Sequence, residues 1–84
     1  MHDLHLADKI IKQILEFGRQ NNLQKIKSAY IKIGDIFEHG ETISPENLQF
    51  NLIILSKATL AEGAKYEVEK MDNLGEYEIV EIEG

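Results

Sequence analysis

Apolar residues recur every three or four positions in the first quarter of the chain, which is the spacing of one helical face. The stripe comprises Ala7, Ile10, Ile11, Ile14, Leu15 and Phe17. Asp3 precedes it as a candidate N-cap, and Gly18 followed by a polar run at 20–22 marks its end. The pattern predicts a first helix over residues 4–21.

After Lys25 the hydrophobic period changes from 3.6 to two. Ala29, Ile31 and Ile33 alternate with more polar neighbours, which is typical of a strand with one buried face. This strand is predicted to end at 34–35, and residues 36–43 are predicted to form a loop with a polar tip.

A second helix is signalled by Ser44-Pro45-Glu46, because serine caps free amides and proline is pre-set for the first helical position. It is predicted over residues 45–58. The segment is apolar over a wide arc, with Leu48, Phe50, Leu52, Ile53, Ile54 and Leu55. We therefore expect this helix to be buried more deeply than the first and to lie at the centre of the core.

Two further alternating segments follow, at 64–69 and 77–82, separated by turn residues at 72–75. They are predicted to form a C-terminal hairpin over residues 64–83, with their glutamates on the outer face. The apolar phase shifts between Ile79 and Val80, which indicates a bulge or a two-sided strand.

The element order α-β-α-β-β predicts an α+β fold, with two helices packed on one face of a small mixed three-stranded sheet. The first two strands are separated by a crossover helix, so we expect them to be parallel and, if adjacent, joined in the right-handed sense. At 84 residues the chain is expected to be one domain.

Composition narrows the function classes. The formal charge of -6 disfavours nucleic acid and anionic membranes as partners. No segment approaches the roughly 20 apolar residues of a membrane span, and we expect a cytoplasmic protein. Cysteine is absent, so any metal must be held by nitrogen and oxygen ligands. Motifs for nucleophilic catalysis or phosphate binding are missing, which argues against an enzyme.

The strongest candidate chemistry is at the amino terminus, where His2 follows Met1. The terminal amine, the backbone amide nitrogen of His2 and a ring nitrogen of His2 can form fused chelate rings around Ni(II) or Cu(II). Asp3 could add its backbone amide or a carboxylate oxygen, and could also cap the helix. His5, and His39 beside Glu38 and Glu41, are weaker candidate ligands, each with a solvated role as the alternative.

Four motifs in order resemble the hydrogenase nickel incorporation family HypA. They are Met1-His2-Asp3-Leu4-His5-Leu6-Ala7, Ile33-Gly34-Asp35, Ser44-Pro45-Glu46-Asn47-Leu48-Gln49-Phe50 and Ala61-Glu62-Gly63-Ala64. The resemblance implies a metallochaperone that binds Ni(II) at Met1, His2 and Asp3. It also implies delivery to the [NiFe]-hydrogenase large-subunit precursor together with the GTPase HypB, and in some organisms service to urease.

The chain departs from this family pattern at several places. Asp3 replaces a glutamate, His5 replaces what is usually a serine, and the loop from Phe37 to Thr42 is longer. The family's zinc module of two Cys-x-x-Cys pairs is replaced by the turn at 72–75, so no zinc is expected. The alternative reading is therefore a metal-free interaction module that binds the maturation partners; a small enzyme using His2, His39 and carboxylates to activate water is a more distant one.

Overall fold

A computed structural model describes residues 4–38 and 41–84 of the chain. Its elements, in chain order, are α1 (Leu4–Gln20), β1 (Ser28–Asp35), β2 (Phe37–Glu38), β3 (Glu41–Thr42), α2 (Pro45–Leu55), β4 (Lys65–Leu74) and β5 (Tyr77–Glu83). The predicted α+β class, the order α-β-α-β-β and the mixed three-stranded sheet are confirmed. The two short strands β2 and β3 lie within the segment predicted as a loop and pair with each other.

The three-stranded sheet has the order β4-β1-β5, so β1 is its central strand. β1 is parallel to β4, as predicted, and antiparallel to β5. The predicted C-terminal hairpin is wrong, because β4 and β5 lie on opposite sides of β1.

The reason lies at the end of β4, where the strand bends across the end of β1. Ile33 is opposite Lys70 and Asp35 is opposite Leu74, so four steps along β4 match two along β1. The Gly75 amide donates to the Asp35 carbonyl (2.9 Å), and the Gly34 amide donates to the Glu76 carbonyl (2.8 Å). The segment predicted as a turn at 72–75 is thus mostly strand, and the chain crosses β1 at residues 75–76.

The irregularity predicted in the last strand is a β-bulge. Tyr30 is opposite Glu81 while Ile31 is opposite Ile79, which leaves Val80 as the extra residue. Val80 is 42% exposed, whereas Ile79 before it and Ile82 after it both pack against the core. The bulge therefore explains the shift in apolar phase at this position.

The core lies between the inner face of the sheet and the two helices. Helix α1 supplies five buried residues, Leu6, Ala7, Ile10, Ile11 and Ile14, whereas Phe17 of the predicted stripe is 40% exposed. They pack with Ala29, Ile31 and Ile33 of β1, which are at most 3% exposed. The periodicities in the sequence thus predicted the buried faces of α1 and β1.

Helix α2 begins as predicted, since Pro45 is its first residue and the Ser44 Oγ accepts from the Asn47 amide (3.1 Å). It ends at Leu55, three residues earlier than predicted. The prediction that this helix is the centre of the core is wrong. Its described buried residues are Leu48, Asn51 and Leu52, and Leu55 is partly buried against the core. Phe50, Ile53 and Ile54 face solvent, because the three strands and the neighbouring helix cover only one side of α2.

Helix α1 runs antiparallel to β1, and this direction positions the amino terminus. Gly18, near its last turn, packs against Ile26 and Leu60, which lie just before β1 and β4. Gln13 accepts a hydrogen bond from the Tyr77 hydroxyl at the start of β5 (3.2 Å). Leu4 precedes Gln13 by nine residues, or about 14 Å of helix, so α1 starts at the end of the sheet where β1 finishes.

Candidate metal centre

The predicted nickel ligands Met1, His2 and Asp3 lie outside the described residues, and so does His39. Their geometry as ligands stays a prediction. The described backbone nevertheless gives the positions of the residues that adjoin them in the sequence. Helix α1 starts at Leu4, directly after the predicted chelate, and the backbone of His5 lies in its first turn.

The elements that flank the two candidate metal-binding segments, residues 1–3 and the segment with His39, come together at one end of the sheet. β1 ends there at Asp35, and β2 and β3 follow immediately, pairing Phe37 with Thr42. The Ile43 amide donates to the Ile36 carbonyl (2.9 Å), which holds the base of this small ladder next to the core. Helix α1 also starts at this end. The described residues next to both candidate metal-binding segments therefore lie on the same side of the molecule.

Charge at this end is partly paired. Lys70 of β4 lies 2.9 Å from a carboxylate oxygen of Asp35, and both side chains are about half exposed. In α1 the first turn carries no acidic side chain, so the positive end of the helix dipole is not offset within it. A positive helix end favours anionic donors, and among the predicted donors those are a deprotonated backbone amide and the Asp3 carboxylate.

Elsewhere the described residues offer no competing metal site. In ranges 4–38 and 41–84, no three histidine or carboxylate side chains cluster in a way that could hold a metal ion. The glutamates of β4 and β5 are exposed on the outer face, as predicted. Glu67 and Glu81 lie on opposite sides of Tyr30, whose hydroxyl donates to Glu69.

This interaction keeps the Tyr30 phenol protonated to higher pH. The hydrogen bond to Glu69, together with partial burial and the negative charges of Glu69 and Glu67, raises the pKa of Tyr30 to about 12. Lys32 lies 5.9 Å from the centre of the Tyr30 ring. The outer face is therefore an acidic surface with a neutral phenol at its centre.

One buried polar pair was not anticipated from the sequence. Ser56 caps the end of α2 and donates to the Leu52 carbonyl (2.7 Å), so its oxygen accepts from the Tyr66 hydroxyl. Both residues are nearly inaccessible, at 1% and 3% exposed. Burial raises the pKa of Tyr66, and the bond to Ser56 opposes the shift. The pair joins α2 to β4, and no local pattern relates positions ten residues apart.

Comparison with known proteins bears on the amino terminus directly. A family model described as "Hydrogenase/urease nickel incorporation, metallochaperone, hypA" matches residues 1–76, which includes Met1, His2 and Asp3. The chain belongs to the HypA family. The resemblance inferred from the four motifs is thereby confirmed.

Curated relatives agree with the family match. The chain is similar to hydrogenase maturation factor HypA of Archaeoglobus fulgidus, with 35% identity over 81% of this chain and 58% of the relative. For the protein of the same name in Methanopyrus kandleri the values are 32%, 82% and 46%, and for that of Methanocella arvoryzae they are 34%, 77% and 54%. The chain thus spans about half the length of the curated relatives it matches.

The family description names a nickel metallochaperone, which is a non-enzymatic role, and the curated relatives are named hydrogenase maturation factors. The match ends at Glu76, where the chain has crossed β1 and β5 is about to begin. Among the residues that the structure describes, neither helix is long and apolar enough to cross a membrane.

Proposed function

We propose that this chain is a nickel metallochaperone that binds Ni(II) through Met1, His2 and Asp3 and delivers it for [NiFe]-hydrogenase maturation. The observation that carries the proposal is the family match, which begins at residue 1 and so includes the predicted chelate. The proposed donors are the Met1 amine, the backbone amide and a ring nitrogen of His2, and a backbone amide or carboxylate oxygen from Asp3.

The chemistry of these donors suits capture and release. An imidazole binds metal only when neutral, and its ordinary pKa is about 6.5. The α-amine has an ordinary pKa of about 8 and must also lose its proton. Binding therefore releases protons, so nickel affinity falls on acidification and on any contact that protonates or displaces His2.

The start of α1 supports this assignment. A chelate that includes a deprotonated amide carries negative charge on its nitrogen, and the positive end of a helix whose first turn holds no acidic side chain stabilises such charge. The same helix is anchored by Leu6 and Ala7 in the core, only four and five residues after His2. The proposed site is thus tethered to a rigid element while its donors come from the chain terminus.

The proposed partners are a HypB-like GTPase and the [NiFe]-hydrogenase large-subunit precursor. Support comes from the relatives, which are named hydrogenase maturation factors. We propose Ni(II) without zinc, because the chain has no cysteine and β4 is joined to β5 by two residues. The net charge of -6 fits a protein partner better than nucleic acid, and we place the activity in the cytoplasm.

A second candidate function is a metal-free module that binds the maturation partners. It is favoured by the apolar side chains that α2 exposes, since such surfaces mark interaction sites. The two candidates differ in one property, which is nickel binding by the purified chain.

Titration calorimetry with Ni(II) on untagged protein tests the proposal. His2→Ala is expected to weaken binding by more than about 100-fold, because losing a direct ligand costs more than losing an outer partner of one. His39→Ala is the matched control and is expected to keep the wild-type affinity. Equal affinity in wild type and His2→Ala would refute the site, and no nickel binding by wild type together with binding of a maturation partner would favour the module.

A further inference from the structure

Helix α2 presents an apolar surface to solvent on the side opposite the core. Phe50 is 62% exposed, Ile53 46% and Ile54 40%. They are spaced by three and four residues and so form one continuous patch. A helix with apolar side chains on two opposite faces normally has both faces covered, and the described chain covers only the face of Leu48 and Leu52.

Two opposite charges bracket this patch. Glu46 lies in the first turn of α2, and Lys57 lies in the turn that follows it, where its amide donates to the Ile54 carbonyl (3.3 Å). Both are exposed, and in the described part of the chain neither forms an ion pair. Positions 46, 50, 53 and 57 are four, three and four residues apart. This spacing places Glu46, Phe50 and Ile53 on one face of α2, and Lys57 follows in line with them in the turn after the helix.

The order of side chains along this face is acidic, apolar, apolar, basic, and its spacing is the same in both directions. We propose that two copies of the chain associate through α2, with the helices antiparallel about a twofold axis between Asn51 and Leu52. Glu46 then lies opposite Lys57 of the second copy, and Phe50 lies opposite Ile53 of the second copy. The symmetry repeats each contact.

The charges select this arrangement over the alternatives. A parallel pair of helices would place Glu46 beside Glu46 and Lys57 beside Lys57, which is repulsive. A different protein would need its own complementary charges at matching positions, whereas a second copy supplies them by symmetry. One short helix from each copy buries less than the roughly 800 Å² per partner of a standard interface, so the association is reversible and depends on concentration.

Sedimentation velocity over a range of concentrations tests the pairing through charge exchange. Glu46→Lys and Lys57→Glu are each expected to weaken self-association by about tenfold, because each turns two attractive pairs into repulsive ones. The double variant restores both pairs with reversed polarity. An equimolar mixture of the two single variants is also expected to associate, since every contact in the mixed dimer is again between opposite charges.

Controls separate the interface from effects on folding. Lys9→Glu on α1 and Glu62→Lys after α2 make the same charge changes at exposed positions elsewhere and are expected to leave association unchanged. Circular dichroism of each variant checks that the helices are retained. The mixture is the decisive sample, because it restores association without any further substitution.

The apolar contacts give an independent arm. Phe50→Ser is expected to abolish association while preserving the fold. The proposal is overturned if the wild type is monomeric at all concentrations, if Phe50→Ser associates normally, or if neither the double variant nor the mixture recovers. A monomer that binds a maturation partner through this face would assign the patch to that partner. The inference does not depend on nickel, so it can fail while the proposed function stands.

Discussion

Helix α2 provides a matched pair of truncations that tests how it sits on the sheet. Leu52 is fully buried, and Leu→Ala at such sites costs about 2.7–5 kcal/mol through lost transfer energy and the cavity left behind. Phe50 is 62% exposed, so only about two fifths of the 1.5–3 kcal/mol of a fully buried aromatic is at stake, or about 0.6–1.2 kcal/mol. Alanine recovers about 0.5 kcal/mol of this through its higher helix propensity.

The two variants should therefore separate clearly in thermal melts followed by circular dichroism at a concentration where the chain is monomeric. In a domain of this size 1 kcal/mol shifts Tm by about 4–8 °C, so Leu52→Ala should lower Tm by at least about 10 °C and Phe50→Ala by less than about 5 °C. Equal losses would place Phe50 in the core. That result would refute the orientation of α2 and remove the surface on which the proposed pairing depends.

Three further predictions follow from local contacts. Ser56→Ala should destabilise the fold by about 1–3 kcal/mol, because it leaves the buried Tyr66 hydroxyl without its acceptor. Tyr66→Phe should cost about 1 kcal/mol, and urea denaturation of both variants measures the difference. The pKa of Tyr30 is raised to about 12, so its bond to Glu69 stabilises the fold fully below pH 10 and is lost as the pH rises through 12; ultraviolet titration of Glu69→Gln should show one tyrosine ionising at lower pH. Ala58 has a φ of +63°, so Ala58→Gly should raise the urea midpoint, with a gain of about 0.5–1 kcal/mol.

Local signals predicted the parts of the fold that depend on one element at a time. The α1 stripe, the Ser44-Pro45 start of α2 and the bulge at Val80 all follow from the spacing of apolar residues or from cap chemistry. Each of these features is decided by short-range backbone geometry and by which face is buried. They could therefore be predicted without knowing which strands pair.

The order of the strands and the burial of α2 could not be predicted in this way. β5 has the same alternation whether it pairs with β4 or with β1, and the choice depends on how β4 bends across Asp35. The wide apolar arc of α2 predicted burial but could not show that only the face around Leu48 and Leu52 meets the core. Both errors arise because tertiary contacts, rather than local pattern, decide these features.

The candidate site depends on donor chemistry more than on the fold. The sequence alone shows that Met1 and His2 offer nitrogen donors, and the family match supports nickel as the metal they would bind. Helix α1 follows the candidate site directly, and its first turn holds no acidic side chain. The Ser56–Tyr66 pair had no sequence signal, because it joins two elements through side chains that have no periodic relation.

The most direct measurement of the central claim is nickel binding by protein acetylated at its α-amine, compared with the unmodified chain. Acetylation removes the amine donor and leaves every side chain in place. It is preferable to adding one residue before Met1, because that would move the histidine to the third position and create a new four-nitrogen chelate. Acetylation is expected to lower the nickel affinity about as much as His2→Ala does. Unchanged nickel affinity after complete acetylation would contradict the proposed chelate.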